Sequence, residues 1–217
     1  MKEKKVTGFD YLLCALFAFA SVVFELLVVV VEGYLGIDMN TFTTTYNIIH
    51  WIITVLGWVI LGILVIHIGK RTTGFEIWKR GDKMLPWQYL AIIMCFIINI
   101  IAKYLDWGGF KVLLEWNARG PLLFVFQYIY YLAEGFLISL IIVFGQKACE
   151  KWFHNEKIPY GGIALGLTWG LVHIFTKGSM VIGILSAIGG FMFGTVYLLV
   201  NKDYRKALPI ITALFIL

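Results

Sequence analysis

Five ionisable side chains stand inside long apolar runs of this chain: Glu25, His50, His67, Glu134 and His173. Burying such a group in hydrocarbon costs about 2.5–3.5 kcal/mol on insertion scales, so each needs a partner or a task. Glu134 follows Gln127 by seven residues, two helical turns, so both project from one face and point into a bundle. His173 closes a run in which Gly162, Gly166 and Gly170 form a small-residue seam, and Gly190 and Gly194 form a second. Such seams let neighbouring helices approach closely. A carboxylate and an imidazole held together can polarise water for attack on a carbonyl. The plainer roles are a protonated Glu134 bonded to another helix and a His173 satisfied by packing. His50 and His67 lie 17 residues apart near opposite ends of one run and read as interfacial or packing residues. Glu25 has no evident partner in the sequence and can line the same cavity as Glu134.

Membrane helices must position these groups. Of the residues, 60% are apolar and only 14% charged, with a mean hydropathy of +0.86. Soluble domains use roughly 45–50% apolar and about 25% charged residues, which excludes a water-soluble globule. The net charge of +5 then belongs to loops and is no nucleic-acid footprint. A span takes about 20 apolar residues, and lipid leaves only helices able to satisfy their backbone in so apolar a chain. The expectation is an all-α, polytopic transmembrane bundle forming one domain over residues 1–217. Its six spans lie near 11–31, 48–69, 87–102, 122–144, 158–175 and 180–200, with a half-span at 207–217. Loops near 32–47, 70–86 and 103–121 join them, each too short to fold alone.

Placing the N-terminus in the cytoplasm puts 14 of the 18 lysines and arginines on that side, as the positive-inside rule favours. Lys2, Lys4 and Lys5 before an apolar run resemble a signal peptide, but the run continues past Ala18-Phe19-Ala20 to Val31, favouring an uncleaved first span. A plasma or inner membrane is the expected location, with the lipid bilayer as the first partner. Cys14, Cys95 and Cys149 lack ligand spacing and read as free thiols. Depth joins the two candidate catalytic groups. At 1.5 Å per residue, Glu134 lies roughly 18 Å below the outer face and His173 roughly 12 Å below it. A difference of about 6 Å allows one shared site.

Glu134-Gly135-Phe136-Leu137-Ile138-Ser139, followed on the next helix by Trp169-Gly170-Leu171-Val172-His173, resembles the first two motifs of the CPBP family. These multi-span intramembrane proteases, also called Abi, include CAAX proteases and bacteriocin-processing enzymes. Their pattern is Glu-Glu-x-x-x-Arg, then Phe-x-x-x-His, then His-x-x-x-Asn or Asp. The similarity covers roughly residues 122–217, including Gly194-Thr195-Val196-Tyr197-Leu198-Leu199 and the basic turn before the final apolar segment.

The resemblance implies a Glu134/His173-activated water and a glutamic- or metallo-type endopeptidase acting on a membrane-embedded peptide or protein. The cofactor would be a divalent metal such as zinc, or none. Catalytic zinc takes three protein ligands, and this pair supplies two. The chain departs from the pattern at Gly135, Ser139 and Trp169, and no histidine follows His173. The third motif would fall near Thr212–Leu217. An impaired or non-catalytic member is therefore expected. Binding, immunity or scaffold roles are the alternatives, together with a small transporter subunit using Glu25, Gln127 and Glu134.

Overall fold

The computed structural model describes residues 5–38, 41 and 43–217. Lys2 and Lys4 of the basic N-terminus lie outside the described residues, as do Met39, Asn40 and Phe42 of the expected 32–47 loop. Every described element is helical: α1 (Gly8–Tyr34), α2 (Thr44–Thr73), α3 (Pro86–Trp107), α4 (Lys111–Phe153), α5 (Tyr160–Leu165), a π-helical turn (Gly166–Gly170), α6 (Leu171–Thr176), α7 (Met180–Leu199) and α8 (Tyr204–Ile216).

Five of these, α1, α2, α3, α4 and α7, are long and apolar enough to cross a membrane. The expected count of six spans is not confirmed among the described residues. The fifth segment, Tyr160–Thr176, is a shorter apolar rod interrupted by its π turn. The expected loop at 103–121 is largely helix as well. Gly108 adopts φ 69° and stops α3, and α4 starts three residues later. Within α4, Gly120 (φ 74°) and Pro121 bend the rod. Only glycine adopts that φ freely, and proline is tolerated in the first turn beyond it.

The lower half of α4 forms the axis of the bundle. Leu137, Ile138, Leu140, Ile142 and Phe144 are all at most 1% exposed, so this segment is covered on every side, as a helix apolar all round requires. α1, α2, α5 and α8 pack around it, while α7 packs on the π turn, α5 and α6. The glycine seams meet as expected. A Cβ on Gly162 would stand 2.8 Å from the Gly190 carbonyl oxygen, and one on Gly170 would stand 2.7 Å from Ala187 Cα. The expected half-span at 207–217 is α8, whose Ala207, Ile211 and Leu214 are fully buried. Its start is set by Asp203, which caps α8 by accepting from Arg205 N–H at 3.1 Å.

The turn between α7 and α8 ties down the loop between α2 and α3. Gln88 donates to the Leu199 carbonyl at 2.8 Å, and Asn201 donates to the Lys83 carbonyl at 3.0 Å. The hydrogen-bonding Arg205 guanidinium, helped by the Gly81 and Arg205 backbone N–H groups, holds the Asp203 carboxyl down at about 2. An unfolded aspartate titrates near 3.9, so this stabilisation is complete above about pH 4 and is lost as pH falls through about 2. Asp203→Ala removes the cap and is expected to destabilise the bundle by about 1–2 kcal/mol. Denaturant unfolding in detergent at pH 7 measures this, and the difference should shrink on acidification.

Candidate functional site

Glu134 lies on the inner face of α4 and is 9% exposed. Its Oε1 accepts a hydrogen bond from the Trp169 indole N–H at 2.8 Å. Trp169 sits in the π turn, between Gly166 and Gly170. A π turn widens the backbone and is frequent at functional sites. One turn later, His173 Nδ1–H donates to the Trp169 carbonyl at 2.8 Å, and the two rings meet edge-on with centroids 4.4 Å apart. In the neutral ring this tautomer leaves Nε2 as a proton acceptor. Glu134 and His173 thus occupy one neighbourhood, joined through Trp169. Among the described residues no direct hydrogen bond or ion pair links them.

Helix α8 supplies the third wall. Phe215 packs edge-on against both Trp169 (5.7 Å) and Tyr131 (5.6 Å). Thr212 is 6% exposed, and its Oγ1 is buried with no hydrogen-bond partner. A Cβ at Gly135 would stand 2.7 Å from that oxygen, so a side chain at 135 and a threonine at 212 compete for one space. Ser139 serves the packing: its hydroxyl donates to the Phe136 carbonyl at 2.7 Å, and Ser139 Oγ and Tyr204 Oη share a second hydrogen bond at 3.1 Å.

Two further polar clusters surround this centre. Gln127 is buried as its spacing from Glu134 implies, and donates to Glu115 at 3.0 Å and to Tyr131 Oη at 2.6 Å. Tyr128 and Tyr131 also donate to Glu115, at 3.0 and 2.7 Å. Lys103 reaches the carbonyls of Leu214 and Phe215, and Lys111 that of Ile216, at 2.7–3.0 Å. Sequence reasoning placed Glu115 and both lysines in a loop, because charged residues break an apolar run. Their burial is possible because each charge finds a partner.

The second cluster corrects the reading of His50 as an interfacial or packing residue. His50 is 4% exposed and lies between Glu25 and Glu32, and Glu25 also accepts from Tyr130 Oη at 2.9 Å. The seven-residue spacing of Glu25 and Glu32 was the available signal. His67 is exposed at the other end of α2 and borders a surface cavity with Lys70 and Arg71.

No family model matches this chain, nor does any curated protein or solved structure. Catalytic zinc needs three protein ligands. Among the described residues no three His, Cys, Asp or Glu side chains gather to hold a metal, and α8 brings Thr212, a neutral hydroxyl, against Gly135. The donor set does not fit a zinc centre.

Proposed function

We propose that this chain is a CPBP-like integral membrane protein, with its N-terminus cytoplasmic, whose Glu134–Trp169–His173 centre binds a membrane-embedded peptide without cleaving it. The observation that carries this reading is the Trp169 indole N–H on the Glu134 carboxylate. It occupies an oxygen that a general base would turn toward water, while the site keeps His173 Nε2 and the unpartnered Thr212 hydroxyl for a ligand's amide. Water attack on a peptide also needs donors aimed at the developing oxyanion. Thr212 offers one neutral hydroxyl there, and Gly135 and Ser139 add no charge. The proposed orientation rests on the lysine and arginine bias.

Purified protein in proteoliposomes, given single-span peptides with and without zinc, is expected to leave them intact. Binding measured by peptide fluorescence anisotropy should weaken about 10-fold in His173→Ala, the equivalent of one lost hydrogen bond. Cleavage by the unaltered protein that disappears in both Glu134→Gln and His173→Ala would overturn this in favour of an active endopeptidase. Ion or solute flux lost in Glu134→Gln would instead make the chain a transporter.

A further inference from the structure

Glu25 and Glu32 lie two turns apart on one face of α1. α2 packs against α1, and His50, near the start of α2, reaches both carboxylates. His50 Nδ1 is 2.9 Å from Glu32 Oε2, and Nε2 is 3.3 Å from Glu25 Oε1. The two carboxylates therefore engage opposite edges of one ring. They do not converge on a point, so the trio is no cation cage.

The geometry fixes how many protons the trio must hold. A nitrogen and a carboxylate oxygen at this separation are both electron-rich, and a proton has to lie between them. Two such contacts need two protons shared among three groups. Either the ring is an imidazolium between two carboxylates, or a neutral ring donates to one carboxylate and accepts from a protonated other. Removing one proton leaves a ring lone pair facing a carboxylate oxygen in a medium that screens poorly, and that contact opens.

The Glu25 contact is the weaker of the two. It is longer, and the Glu25 side chain is 30% exposed against 12% for Glu32. Glu25 has another partner waiting, because its Oε2 accepts from Tyr130 Oη of α4 at 2.9 Å. Among the described residues, the charged and titratable groups facing this place are Glu25 and Glu32 from α1 and Tyr130 from α4. Glu134 stands four residues, about one turn, beyond Tyr130 on α4, and Arg119 lies over the neighbouring Trp51 ring at 5.6 Å.

We propose that Glu25, His50 and Glu32 form a proton-binding site, a clasp between α1 and α2 that opens at its Glu25 side when one proton leaves. Opening frees Glu25 from α2 and leaves it on Tyr130, beside the Glu134 centre. Acid conditions at that end of the bundle hold the clasp shut, and alkaline conditions release it. The inference is independent of whether Glu134 and His173 bind a peptide.

The test uses the full chain in lipid nanodiscs with ¹⁵N-labelled histidine, the His50 signals being assigned by their loss in His50→Gln. Between about pH 5 and 9, the His50 ring is expected to lose one N–H, with a step in tryptophan fluorescence at the same pH. Trp58 reports the opening, since its ring lies 4.7 Å from that of Tyr130 and its N–H bonds the Val22 carbonyl of α1. In Glu25→Gln the amide can donate or accept, so the contact survives either ring state and the fluorescence step is lost. A His50 ring whose protonation never changes over this range overturns the proposal. So does a fluorescence step that persists unaltered in Glu25→Gln.

Discussion

Trp169→Phe destabilises the folded bundle by about 3 kcal/mol, whereas Glu134→Gln leaves stability nearly unchanged. The difference follows from what each substitution strands. Phenylalanine removes the one hydrogen-bond donor that the buried Glu134 carboxyl has among the described residues, and leaves part of the indole's volume empty. An unsatisfied buried polar group costs about 1–3 kcal/mol, and lost packing adds to it. Glutamine keeps an oxygen for the indole N–H and gives up only the charge. The double variant Trp169→Phe/Glu134→Leu removes both partners, and its cycle with the unaltered protein, Trp169→Phe and Glu134→Leu should show a coupling of about 1–3 kcal/mol. Unfolding in detergent followed by circular dichroism measures these four proteins and Glu134→Gln. Equal losses in Trp169→Phe and Glu134→Gln would mean that the bond contributes nothing. His173 is anchored to the Trp169 backbone carbonyl, so its position should survive the loss of the indole.

Gly161→Ala is expected to be the most damaging single methyl in the protein, at about 3 kcal/mol or more. A Cβ there runs into the Ile142 carbonyl oxygen of α4, a backbone atom that no rotamer change can move aside. The same glycine donates its N–H to Gln146 Oε1 at 2.9 Å, so any shift that makes room also strains a buried hydrogen bond. Gly189→Ala is the matched control. It lies within α7, and nothing stands within 4 Å of its Cβ position. Alanine there should be neutral or stabilising by about 0.5–1 kcal/mol, the helix-propensity gain. Thermal unfolding of the two variants side by side separates a steric effect from a general intolerance of glycine replacement.

Much of the molecule follows from its chain alone. Run lengths of apolar residues place α1, α2, α3 and α7 within a few positions, since a rod that crosses lipid must be long, apolar and internally hydrogen-bonded. Rise per residue allows Glu134 and His173 to share one site, and the glycine spacing at 162, 166 and 170 marks a close helix contact. These properties are local, so one strand of text contains them. Rotation about each helix axis and the choice of neighbour are not local, and they decided the rest. Only the packed bundle sets Trp169 between Glu134 and His173, brings Thr212 against Gly135, and draws Lys103 and Lys111 into the last carbonyls of α8. The same holds for His50, whose two carboxylates belong to another helix. A lone charge in a sequence looks like a loop residue; it becomes an interior one only when tertiary structure supplies the opposite partner that offsets its desolvation.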